Sequence, residues 1–215
     1  MTAYSHIPSH RALHTYPIET AEATRKGIMA GLRVISGTAK GRRLRLVPGE
    51  GTRPISDRVK VSLFDILGAD VQRAWILDLF AGTGSVGIEA LSRGAAGALL
   101  VDKDARAIAT IRENLSATGL ADRAEVLRAD AFDLLARPPH RKVDYVYIAP
   151  PQYHELWARA LTELDTHVGW LNPDAWTIVQ IHPNEFREMP LAHLHEAQRR
   201  KYGSTLLVFY EFPGA

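Results

Sequence analysis

Apolar positions fall in short runs separated by segments with helical spacing. Ile76, Leu77, Leu79 and Phe80 form one run and predict a buried strand near 75–80. Ala98-Leu99-Leu100-Val101 is a second run, closing on Asp102. Ala124 to Leu127, Val143 to Ile148 and Thr177 to Ile181 predict three more strands. Helices are expected between them, near 85–93, through Ile108, Ile111 and Leu115 to Gly119, and from Glu155 to His167. Such alternation predicts an α/β domain on a mostly parallel sheet. The tail breaks the rhythm. Glu196 to Lys201 and Thr205 to Phe212 flank Tyr202-Gly203, predicting two strands around a turn and an antiparallel finish. Upstream, Arg33 to Ser36 and Arg42 to Leu46 read as short strands around Gly37 and Gly41, a basic hairpin. Ser56 can cap a helix whose Val59, Leu63, Phe64 and Leu67 share one face. Residues 1–30 read as a weakly ordered leader, 31–70 as hairpin plus helix, and 71–215 as the main domain.

The bulk composition narrows the class. A chain of 215 residues with 46% hydrophobic and 23% charged residues fits one soluble domain. No apolar run approaches the ~20 residues needed to span a bilayer, and the N-terminus lacks a signal-peptide apolar core. The absence of cysteine excludes disulfides and thiolate chemistry and fits a reducing cytoplasm. Nine histidines show no metal-ligand spacing, so no metal site is expected. Net charge is only +2, yet Arg33 to Lys60 holds eight bases and two acids. Charge segregated in this way is the footprint of a polyanion partner.

The strand near 75–80 runs into Ala81-Gly82-Thr83-Gly84-Ser85-Val86-Gly87. Strand, glycine turn and helix together bring backbone against a nucleoside cofactor. Gly82, Gly84 and Gly87 satisfy the dinucleotide fingerprint, and Asp102 lies where an acid accepts hydrogen bonds from ribose hydroxyls. NAD and S-adenosylmethionine both carry that ribose. Three features favour S-adenosylmethionine. Asp78 precedes the turn, where a carboxylate can meet a cationic methionine end but would repel a pyrophosphate. Asp130 and the Ala131 amide follow the third strand, where adenine would lie. Ala149-Pro150-Pro151-Gln152-Tyr153 follows the fourth, where a methyl acceptor would lie.

On these residues the chain resembles the bacterial small-subunit (16S) rRNA guanine-N2 methyltransferases. The ordered matches are Arg33-Val34-Ile35-Ser36-Gly37 with Lys40-Gly41-Arg42-Arg43-Leu44, and Arg53-Pro54 with Ser56-Asp57-Arg58-Val59. Leu77 to Gly84, Gly87 to Gly94 and Lys201-Tyr202-Gly203-Ser204-Thr205 complete them. The resemblance implies a Rossmann-like class I methyltransferase with seven strands and S-adenosylmethionine as donor. It implies ribosomal RNA or a small-subunit assembly particle as substrate, in the cytoplasm, with no membrane or metal. A monomer is expected. Asp78, Phe80, Gly82, Thr83, Gly84, Asp102, Lys103, Asp130 and Ala131 would hold the cofactor. Arg33, Lys40, Arg42, Arg43, Arg53 and Arg58 would grip RNA.

One departure concerns chemistry. The family reads Asp-Pro-Pro and then an aromatic after the fourth strand; here Ala149 stands at the acid position and Gln152 at the aromatic one. A guanine exocyclic amine is a poor nucleophile, and the family's acid accepts its hydrogen bond while the ring stacks on the flipped-out base. Three readings follow. Gln152 and Tyr153, with Pro150 and Pro151, rewire the acceptor pocket. Alternatively the chain binds cofactor and RNA as an assembly factor with impaired transfer, or it methylates another acceptor. An NAD-dependent oxidoreductase rests only on the glycine spacing. Tyr145, Tyr147 and Trp157 read as core, His182 as a structural histidine at the cofactor edge, and Arg199-Arg200-Lys201 as a further basic stretch.

Overall fold

A computed structural model of the protein describes residues 32–49 and 55–214. The expected leader and Arg53 lie outside the described residues. Each apolar run becomes a strand, because β-branched and large apolar side chains fit a sheet covered on both faces. The order is α1 (Asp57–Leu67), β1 (Trp75–Asp78), α2 (Ser85–Ser92), β2 (Gly97–Asp102), α3 (Ala105–Thr118) and β3 (Ala124–Arg128). It continues with α4 (Ala131–Leu135), β4 (Val143–Ile148), α5 (Leu156–Thr166), β5 (Leu171–Ile181), β6 (His195–Tyr202) and β7 (Thr205–Phe212).

The seven strands lie in the order β3-β2-β1-β4-β5-β7-β6. Strands β1 to β5 are parallel; β7 runs antiparallel to both β5 and β6. Alternate residues of each central strand feed two cores. Ile76, Ala98, Leu100, Tyr145 and Tyr147 face α1, α2 and α3. Leu77, Leu79, Leu99, Val101, Val146 and Ile148 face α4 and α5, where Trp157 is buried. The tyrosines and Trp157 are thus core, as their spacing suggests. Order reverses at β1, between β2 and β4. In open α/β sheets ligands bind at such a reversal, beyond the carboxyl ends of the strands.

The basic hairpin departs from expectation. Its two arms share a single bridge, Arg33 with Arg43, in place of two paired strands. Backbone bonds flank it: the Val34 amide donates to the Arg42 carbonyl (2.9 Å), the Gly41 amide to the Val34 carbonyl (2.9 Å) and the Leu44 amide to the Leu32 carbonyl (2.7 Å). The amide of Arg45 donates to Asn114 Oδ1 (2.7 Å), and Asn114 Nδ2 donates back to the Arg45 carbonyl (3.1 Å). A buried amide side chain on α3 thus satisfies the backbone of Arg45. Strand β5 also begins earlier than its apolar run, at Leu171. The stretch Asn172-Pro173-Asp174 conceals that start, with Asp174 in the left-handed region. The short α4 was not anticipated, although Asp130 caps it by accepting from the Phe132 amide (2.9 Å).

The hairpin is fastened to α2 by buried polar groups. Glu89 accepts from the amides of Ile35 (2.7 Å) and Ser36 (3.0 Å). Ser92 Oγ donates to the Ser36 carbonyl and accepts from the Ala39 amide, while the Thr38 amide donates to the Ser92 carbonyl. Gly37, at φ +80°, makes this approach possible: a Cβ there would stand 1.8 Å from the Ser92 carbonyl oxygen. Gly41 is also left-handed, at φ +83°, but faces open space. Gly41→Ala is therefore expected to cost about 1 kcal/mol, the left-handed penalty alone. Gly37→Ala should cost more than about 3 kcal/mol, because backbone must move as well. Urea unfolding of the two variants measures the difference; equal costs would contradict the contact.

Candidate active site

The carboxyl ends of β1, β2 and β3 bring Asp78, Asp102 and Asp130 to one edge of the sheet. Between the first two lies the glycine turn. Gly82 and Gly84 have φ of +53° and +75°, and Gly84 is the left-handed residue that starts α2. Gly87 serves packing: a Cβ there would meet a Leu100 methyl at 2.3 Å. Asp102 shapes the turn directly. One carboxylate oxygen accepts from the Gly82 amide and the other from the Asp104 amide, both at 2.9 Å. A carboxylate offers about four acceptor sites, so Asp102 keeps capacity for ribose hydroxyls.

Asp78 is buried, and its Oδ1 has no hydrogen-bond partner. Burial raises its pKa to about 7, the nearby charge of Asp102 adds to this, and the Gly87 and Phe80 amides oppose it. A buried carboxylate with an orphan oxygen is costly in isolation. A cationic ligand group would supply the missing partner, so these residues fit the expected donor. Tyr147 pairs with Asp78 across the ladder and donates its hydroxyl to Gln180 Oε1 (2.6 Å). Burial, then the charge of Asp78, pushes that phenol well above its ordinary pKa, so it stays protonated.

The remaining cofactor candidates surround this edge. Phe80 stacks edge-on against Phe132 with centroids 6.3 Å apart, Thr83 and Ala131 are buried, and Lys103 is exposed. Beyond β4, Ala149 is half-buried, Pro150 buried, Pro151 exposed and Gln152 half-buried. Tyr153 is 66% exposed. Its ring meets that of His182, just past β5, at 5.7 Å. His182 also accepts the Asn184 amide through Nδ1 (3.2 Å), which is the structural role expected of it.

The basic segment is divided. Lys40, Arg42, Arg43 and Arg58 are exposed, while Arg33 is exposed but bonded to Asp57 (3.0 Å). Lys60, counted with the basic run, is wholly buried and cannot meet a polyanion. It donates to the Arg33 carbonyl (2.6 Å) and Ser85 Oγ (2.9 Å) and lies 3.7 Å from Glu89. Burial lowers its pKa, against the pull of Glu89. Sequence reasoning missed Glu89, Asn114 and Glu185. Asn114 is the most informative of these, since its Nδ2 also donates to the Thr83 carbonyl (2.9 Å), joining the basic segment to the glycine turn. A polar residue on a helix's buried face was the signal that could have revealed it.

The strand order and the glycine turn at the sheet reversal define a Rossmann-like protein of the class I methyltransferase type. The chain belongs to the family described as Conserved hypothetical protein 95, which matches residues 32–211. It is 37% identical to a Bacillus subtilis (strain 168) protein named "Putative rRNA methyltransferase YlbH", over 85% of this chain and all of that one. It is 37% identical to "Ribosomal RNA small subunit methyltransferase D" of Escherichia coli (strain K12), over 69% of this chain and 74% of that one. The solved structure "Putative methyltransferase yhhF from Escherichia coli" superposes with TM-score 0.74 at 32% identity, covering 84% of this chain and 97% of that one. Among the described residues no helix is long and apolar enough to cross a membrane.

The pKa of Asp78 gives a signed prediction. The folded value, about 7, lies above the ordinary 3.8. As pH rises through that window the unfolded chain loses its proton first, so Asp78 makes stability fall. By about pH 8 the full effect is on the order of 4 kcal/mol, at about 1.4 kcal/mol per pH unit. Asp78→Asn removes it. Urea unfolding should show the variant gaining on wild type between about pH 4 and pH 8. A pH-independent difference would refute the raised value.

Proposed function

We propose that the chain transfers a methyl group from S-adenosylmethionine to the exocyclic N2 of a guanine in small-subunit ribosomal RNA. The observation that carries this is Asp78: a buried carboxylate with one unpartnered oxygen, at the sheet reversal, on the strand beside the acceptor turn. The names of the relatives support the RNA class. Bound at this edge, the donor supplies a methyl group activated on a sulfonium. Asp78 would meet its cationic methionine end, and Asp102 would accept from its ribose while holding the Gly82 amide. Asp130 and the Ala131 amide would hold the adenine, with Phe80, Thr83 and Lys103 as further cofactor contacts. Direct transfer from such a donor calls for no metal. The reaction takes place in the cytoplasm, on ribosomal RNA or an assembling small subunit.

Transfer to guanine needs the amine oriented toward the methyl group; positioning carries much of the rate when the donor is intrinsically reactive. Ala149 offers no side-chain acceptor. A proline carbonyl of the Pro150-Pro151 turn takes one amine hydrogen, the Gln152 amide oxygen takes the other, and Tyr153 stacks on the base. Lys40, Arg42, Arg43 and Arg58 contact phosphates, Arg33 adds to them, and Arg53 is proposed for the same role from the sequence alone. Radiolabelled methyl transfer to purified small subunits or precursor RNA tests this. Label is expected on guanine N2, and Asp102→Ala should abolish transfer. Ala149→Asp is expected to raise kcat about tenfold, the worth of one hydrogen bond to a charged group. Wild-type protein that binds donor and RNA yet incorporates no label would overturn the assignment.

A further inference from the structure

The segment after the double proline is held in an unusual way. Tyr153 and Glu155 both lie in the left-handed region, with φ of +64° and +54°. For non-glycine residues this costs about 1–2 kcal/mol each, and such strain persists only where the surroundings over-determine it. The restraint comes from the short turn after β5. Glu185 Oε1 accepts the Tyr153 amide (2.7 Å), and Glu185 Oε2 accepts the His182 amide (3.1 Å). Arg187 adds a second strap, donating to Glu155 Oε2 at 3.0 Å. One carboxylate thus joins the two loops whose rings, Tyr153 and His182, lie against each other at 42°.

Ordinary packing does not account for this arrangement. Tyr153 is among the few large apolar side chains exposed among the described residues, and it stands four residues past Ala149. The left-handed backbone decides where an exposed ring at this position stands. Glu185 pins that turn by accepting the Tyr153 amide.

We infer that Glu185 is a positioning residue for the acceptor base: it fixes Tyr153, with His182 behind it, as the surface on which a flipped-out guanine stacks. This rests on the RNA methyl-transfer reading above. Glu185 touches neither donor nor base, and it acts through the Tyr153 amide. Base stacking on an aromatic is worth about 1–3 kcal/mol, so its loss reads as a change of about tenfold or more in the RNA term.

The test uses the full chain and small-subunit precursor RNA. Tyr153→Ala and Glu185→Ala should each raise KM for RNA about tenfold or more and leave the dissociation constant for S-adenosylmethionine unchanged. The double variant should be no worse than either alone, because both remove the same contact. Tyr153→Phe should retain wild-type KM, since stacking needs only the ring, and Glu185→Gln, which keeps one acceptor, should fall between. Independently of activity, the Tyr153 amide proton should exchange at least about tenfold faster in Glu185→Ala, as a broken hydrogen bond exposes it. Wild-type transfer with unchanged KM in Tyr153→Ala and Glu185→Ala would overturn this inference and leave the methyl-transfer reading intact. Additive losses in the double variant, or an unchanged amide exchange rate, would also overturn it. Absence of transfer by the wild type would overturn both.

Discussion

The buried contact between Lys60 and Glu89 is the constraint around which the N-terminal half is arranged. Both side chains are fully removed from solvent. Neither could remain there as an unpaired charge, and both side chains are fully engaged. Lys60 takes the Arg33 carbonyl and Ser85 Oγ; Glu89 takes the Ile35 and Ser36 amides and Arg93 Nε. Three pieces of chain distant in sequence can therefore meet in only one register. A buried ion pair is weak evidence of net stability, because desolvation offsets attraction. Its contribution here is positional. Ser85 is the first residue of α2, so the hairpin is locked to the helix that opens at the glycine turn.

The fold was legible wherever local pattern and global structure agree. Ile76 to Phe80 followed by Gly82 and Gly84 announced the central strand and its turn, because apolar runs and left-handed glycines leave marks in sequence. Asp130 was also visible, but it was read only as an adenine contact, although an acid before Ala131-Phe132 is equally a helix cap. The polar fastenings were not legible. Asn114 meets Arg45 across 69 residues and Glu89 meets Ile35 across 54. Nothing in an isolated Asn or Glu reveals which distant amide it will find. The same blindness assigned Lys60 to a basic surface when its charge is consumed inside the protein.

At the candidate site the chain stores cost in two forms. Asp78 carries an electrostatic one, a carboxylate held near neutrality by burial and by Asp102. The acceptor turn carries a conformational one, two left-handed residues within three positions. Both lie at the carboxyl edge of adjacent strands, where the sheet reverses. Stability optimisation alone would remove each of them. Their coincidence at one edge sets that edge apart from the well-packed remainder of the scaffold.

The far side of the sheet has a different consequence. Strand β6 ends the sheet, and a bare edge is a template on which another chain can add a strand. Here the edge carries Arg199, Arg200 and Lys201 in succession, all exposed. A second copy approaching edge to edge would bring like charges into register at the spacing of paired strands. The basic stretch that marks this edge therefore also disfavours the addition of a strand from another chain.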